Sequence, residues 1–142
     1  MKKLNVKKTL AKLLVKADAV GKRVTVNGSS SMSNISQPAD SYVNIGSITL
    51  TPGTWVVVYR GRYVPNASGN HYSAIYFSST SAGAGWHDRR YSGTTYNMAH
   101  VATCIVQPTV NTTYYLIGNA SAAGVWNRES QSAFLIDAVR IK

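Results

Sequence analysis

Carboxylates are scarce in this 142-residue chain: Asp18, Asp40, Asp88, Glu129 and Asp137 are all it has. Glycoside hydrolysis needs two of them flanking one bond. Asp88 and Glu129, each beside a tryptophan in what reads as a loop, are the pair that could converge. His71, His87 and His100 each stand alone in their local sequence, so no zinc-binding spacing arises. No Gly-x-Ser-x-Gly elbow or phosphate-cradling loop occurs. The densest chemistry lies in GWHDRRYSGTTY, residues 85–96. There Trp86 and Tyr91 could stack on a sugar ring, while Asp88, Arg89 and Arg90 could bond its hydroxyls or an acidic group. A second set, Trp126, Asn127 and Arg128, lies in GVWNRES, residues 124–130. A plainer reading stands beside this one: the tryptophans plug the ends of a core and the charges are solvated. Neither set implies a metal or a cofactor, and the expected role is binding rather than catalysis.

The positive charge is uneven. Residues 1–23 hold eight Lys/Arg and one acid, net +7; residues 24–142 hold seven and four, net +3. The high isoelectric point therefore belongs mostly to the N-terminal segment, and nucleic acid is an unlikely partner for the rest. Cys104 is the only cysteine, which excludes an intrachain disulfide; it reads as a small buried thiol within VATCIV. No apolar window is long enough for a membrane helix. Lys8, Lys12 and Lys16 interrupt what would be the apolar core of a secretion signal.

Two hydrophobic periods divide the chain into an expected helix, residues 1–23, and a β domain, residues 24–142. Val6, Leu10, Leu13, Ala17 and Val20 are spaced as a coiled-coil seam. Three partners suit it: sister copies forming a stem, the body of the same chain, or a charged surface. From residue 24 onward, runs rich in Val, Ile, Tyr and Thr alternate with Gly, Ser, Asn and Pro. Strands are expected near 24–27, 42–50, 54–64, 71–79, 95–107, 112–119 and 132–141, with a short one near 86–91. Residues 28–38 read as a bridge or surface loop. This count and spacing imply an all-β antiparallel jelly-roll sandwich with a short N-terminal α-helix.

The strands themselves carry a demand. A lone sandwich dries one face of each sheet, so its strands should alternate. Residues 55–59, 114–117 and 133–136 are apolar at every position, as are 101–106 apart from Thr103. A second face must be covered, and a further copy of the chain is the simplest cover. Val56 and Val58 then belong to a subunit interface with Arg60 and Arg62 at its rim or in a groove beside it, where they could pair with a carboxylate across the contact, bind a ligand, or stand solvated. Asp137 interrupts an apolar face of the last strand, with Arg140 close by on the other face, and an Asp137–Arg ion pair between subunits is expected. Leu10, Leu13 and Ala17 would extend the same association along the helix.

A helical segment, a Gly/Ser bridge, and a Tyr-rich β domain that includes ITLTPGTWVVV, NTTYYLIGNAS and LIDAVRIK together resemble the C-terminal head region of bacteriophage and prophage tail-fibre or minor tail proteins. The resemblance implies a C1q/TNF-like jelly roll, a homotrimer, and loops that touch a host-surface glycan or protein. It also implies a virion location, or a bacterial cytoplasmic one for a prophage product. A monomeric carbohydrate-binding module is the alternative.

Overall fold

A computed structural model describes residues 20–80, 86–92 and 97–142, with the backbone alone at 86, 87, 91 and 92. The expected helix, with Leu10, Leu13 and Ala17, lies outside the described residues. Among the described residues, ten antiparallel strands form two sheets. The larger holds β1 (Arg23–Asn27), β10 (Phe134–Arg140), β4 (Trp55–Pro65), β9 (Gly124–Asn127) and β2 (Ile35–Gln37) in that order, with β7 (Met98–Val106) also paired to β4. The smaller runs β3 (Ser41–Leu50), β8 (Thr112–Ala120), β5 (His71–Ser78) and β6 (Trp86–Ser92).

β4 organises the larger sheet. One edge pairs with β7 along Trp55–Tyr63; the other pairs first with β10, along Trp55–Gly61, and then with β9 from Arg62 to Pro65. Its residues alternate buried and half-buried without a break. Trp55, Val57, Tyr59 and Tyr63 point into the core, and Val56, Val58, Arg60 and Arg62 point away. Thr51-Pro52-Gly53 supplies the expected turn into this strand, with Gly53 at φ 144°, a conformation that favours glycine.

Between the sheets the rings pack in a run. Tyr59 stacks on Phe77 at 5.3 Å between centroids, and Phe77 stacks on Tyr114 at 5.2 Å. Ile48, Leu50, Ile75, Leu116, Ile136 and Cys104 complete this core, so the cysteine is the buried thiol expected. Burial pushes its pKa up to about 11, which leaves it a poor nucleophile at neutral pH.

Two strands depart from the sequence reading. β2 lies inside the stretch taken as a bridge, and β9 inside GVWNRES, taken as a loop. Each is three or four residues long, too short to show a period of two. They pair with each other, Ile35 opposite Trp126 and Gln37 opposite Gly124. The Gln37 carboxamide accepts a hydrogen bond from Trp126 Nε1 at 2.7 Å and donates to the carbonyls of Pro38 and Ser41. Trp126 is thereby fixed within the core, lying so close to Gly118 that a side chain there would overlap its indole.

Candidate assembly face and an internal polar relay

The outward face of the larger sheet is the one the β4 pattern singles out. Reading across β10, β4 and β7, Val139, Val56 and Ile105 form one row. Asp137, Val58 and Thr103 form the next, then Leu135, Arg60 and Val101. Arg62 follows, between Asn127 and Ala99. One row is wholly aliphatic, and Val58, Leu135 and Val101 carry the apolar patch through rows that also hold Asp137, Thr103 and Arg60; toward β1 the face turns polar at Arg23, Thr25 and Asn27. Its β7 side is open: Val101 is 49% exposed and Ile105 55%. Val56 and Val58 are half-buried by their neighbours.

Arg60 and Arg62 sit where the expected interface turns polar. The Nε atoms of both are buried and unbonded. Arg60 reaches the Gln131 carbonyl at 3.4 Å; among the described residues Arg62 has no hydrogen-bond or ion-pair partner. Asp137 does not wait for an arginine of another copy. Arg23 of its own chain grips it through two hydrogen bonds of 2.7 Å, and Thr25 Oγ1 donates a third at 2.7 Å. The Arg23 hydrogen bonds are the main cause holding this carboxyl below the usual range, against the opposing effect of burial. Arg140 lies on the opposite face of β10 from Asp137, as expected, paired with Trp55. It bonds the Lys142 carbonyl at the end of the sandwich, in a shallow cleft with Pro52, Gly53 and Gln107, away from the valine face.

Of the eight residues read as ligand contacts, six have described side chains, and the structure places these as follows. Asp88 and Arg90 lie on β6, the short strand expected near 86–91, opposite Ile75 and Ser73 on the inward side of the sheet. Arg89 takes the outward side, its guanidinium 4.8 Å from the centre of the Tyr72 ring. Trp86 and Tyr91 belong to β6 through their backbones, and their side chains lie outside the described residues. Trp126 is wholly buried and presents no face to a ligand. Asn127 accepts a hydrogen bond from the Glu129 amide at 3.0 Å, and Arg128 lies over the Phe134 ring. Asn34 closes that corner: it donates to Glu129 and accepts from the Arg128 amide, both at 3.0 Å. Glu129 is thus held in a corner with Asn34 and Arg128, whereas Asp88 belongs to the relay on β6. The polar groups of the second set hold a turn.

Asp88 belongs instead to a relay that sequence reasoning missed. Its Oδ2 is 2.9 Å from His100 Nδ1, and His100 Nε2 is 2.7 Å from Ser73 Oγ. Arg90 Nε donates to the same carboxylate oxygen at 3.0 Å. His100 is fully buried, and burial is the main cause lowering its pKa, only partly offset by Asp88. The neutral ring fits this network in one tautomer: Nδ1–H donates to Asp88, and Nε2 accepts from the Ser73 hydroxyl. The order of groups matches a hydrolytic serine triad. The serine does not, because Ser73 is 0% exposed, with the Met98 sulfur 3.5 Å from its oxygen. What the relay does is mechanical. It joins β6, the edge of one sheet, to β7 in the other, and packs His100 against Trp126 at 5.7 Å. The only sequence signal was positional: His100 shares the inward period of Met98 and Cys104, so it had to be buried and needed partners.

No protein-family model matches the chain, and no curated protein does. Among solved structures it is similar to Eiger TNF from S. frugiperda, with a TM-score of 0.58 and 9% identity over 87% of this chain and 94% of that one. The VP2 subviral particle of infectious bursal disease virus aligns with a TM-score of 0.45 and 11% identity, over 85% of this chain and 37% of that chain. The first likeness shows the fold: an antiparallel, TNF-like jelly roll. Among the described residues, no helix is long and apolar enough to cross a membrane.

Proposed function

We propose that this chain is a non-enzymatic assembly module: the head of a homotrimeric, tail-fibre-like virion component whose loops meet a host-surface glycan or protein. The observation that carries the reading is the outward face of the larger sheet, where Val56, Val58, Leu135 and Val139 adjoin the exposed Val101 and Ile105. An apolar patch with interspersed polar groups is what a stable subunit contact buries. The TNF-like jelly roll is compatible with it, and the tail-head resemblance supplies the trimer and the host surface. The described polar groups of the two aromatic segments are largely engaged within the chain, so recognition falls to loop surface beyond them.

Light scattering on the purified chain at low micromolar concentration is the test. The expected mass is three times the 15.4 kDa of one chain. A single-chain mass would refute the head proposal and favour a monomeric carbohydrate-binding module. A glycan array on the same sample then asks for the receptor class.

A further inference from the structure

The larger sheet's outward face raises a charge problem that assembly would sharpen. Arg60 and Arg62 lie two residues apart on one side of β4, about 7 Å from each other by strand geometry. The residues beside them in the neighbouring strands are Leu135, Val101 and Ala99, with Asn127 the one polar exception. Asn127 already accepts from Glu129. When a second copy covers this face, the outer guanidinium nitrogens lose water, and an unpaired buried charge is strongly destabilising.

The chain has few carboxylates to offer in return. Arg23 and Thr25 hold Asp137; His100 and Arg90 hold Asp88; Asn34 holds Glu129. Asp40 is exposed in the turn before β3, and Asp18 lies outside the described residues. Closed symmetry repeats the arginine pair on every copy, each adding a net charge of +10. We infer that Arg60 and Arg62 hold a small oxyanion of the sulfate or phosphate class between copies of this chain; this rests on the assembly proposed above. A guanidinium offers paired N–H donors that match such an ion, and several forks can share one. A site enclosed between copies admits a free ion rather than a charged polymer.

The test is sedimentation velocity on the full chain, dialysed into chloride buffer, over a range of protein concentrations. Low-millimolar sulfate is added at constant ionic strength, too dilute to act by general exclusion from protein surface. The wild type should assemble at roughly tenfold lower concentration with sulfate. The double variant Arg60→Gln/Arg62→Gln should assemble without sulfate and ignore its addition. If that variant fails to fold by circular dichroism, Arg60→Lys/Arg62→Lys keeps the charge, loses the fork, and should respond to sulfate more weakly than the wild type. Assembly that is the same with and without sulfate overturns the ion site and leaves the assembly intact. A single-chain mass in every condition overturns both.

Discussion

Two polar groups of this molecule differ in one respect. Asp88, His100 and Ser73 form a closed set in which both ring nitrogens of the histidine are bonded. Arg60 and Arg62 form an open one, with buried Nε atoms that no group among the described residues satisfies. By residue type alone the first looks like chemistry and the second like surface charge. Burial reverses that impression. A closed set consumes its own bonding capacity and becomes a fastener; an open set keeps its capacity for something outside the chain. The same contrast separates Asp137, satisfied by Arg23 and Thr25, from Arg60 and Arg62.

The largest effects should come from breaking the closed side. Trp126→Ala removes a wholly buried indole and strands the Gln37 carbonyl. A loss of about 3–5 kcal/mol is expected in denaturant unfolding. Were Trp126 a ligand contact instead, the variant would keep its stability and lose binding.

Asp88→Ala comes next. It leaves the His100 Nδ1–H without an acceptor in the core, at a cost of about 1–3 kcal/mol. Asp88→Asn, whose amide oxygen can still accept, should recover part of the loss. A purely solvated Asp88 would show neither the loss nor the rescue.

Acid provides a finer probe of the same relay. The His100 pKa is lowered in the folded chain, so below the ordinary histidine value the unfolded chain binds the extra proton and the folded chain resists it. Stability should hold at neutral pH and fall as pH drops through about 6.5, levelling once the folded histidine protonates. Asp137 acts in a separate and lower window. Its depressed pKa contributes stability above the ordinary carboxylate range, and that contribution is lost as pH falls through it. His100→Gln should flatten the upper slope and leave the lower one. A slope near neutrality that survives this change would mean that another group titrates there.

What could be read in advance follows the same division. Period two and turn chemistry made the long strands legible, and the apolar positions of β4 put Val56 and Val58 on a face that needs a cover. The arginines were legible for the same reason, since their place in the strand assigns their side. The closed sets were not. Ser73, Asp88 and His100 come from three strands in two sheets, and Arg23 meets Asp137 across 114 residues of sequence. Pairing of that kind depends on strand order, which local pattern does not specify. β2 and β9 escaped for want of length, and with them the burial of Trp126.

The smallest effect on the folded chain is expected from the substitution that matters most to the open side. Ile105 is more than half exposed, and Ile105→Lys removes no core contact. Unfolding of the single chain should change by less than about 0.5 kcal/mol. Placed beside Val56, however, the new ammonium would enter the wholly aliphatic row that also holds Val139, on the open β7 side of the face. Association must then desolvate a charge with no partner, in an interface already burdened by Arg60 and Arg62. Light scattering should therefore report a single-chain mass while circular dichroism and the unfolding midpoint stay where they were. If the mass does not change, β7 lies outside the subunit contact, and whatever covers Val56 and Val58 approaches from the β1 side of the sheet.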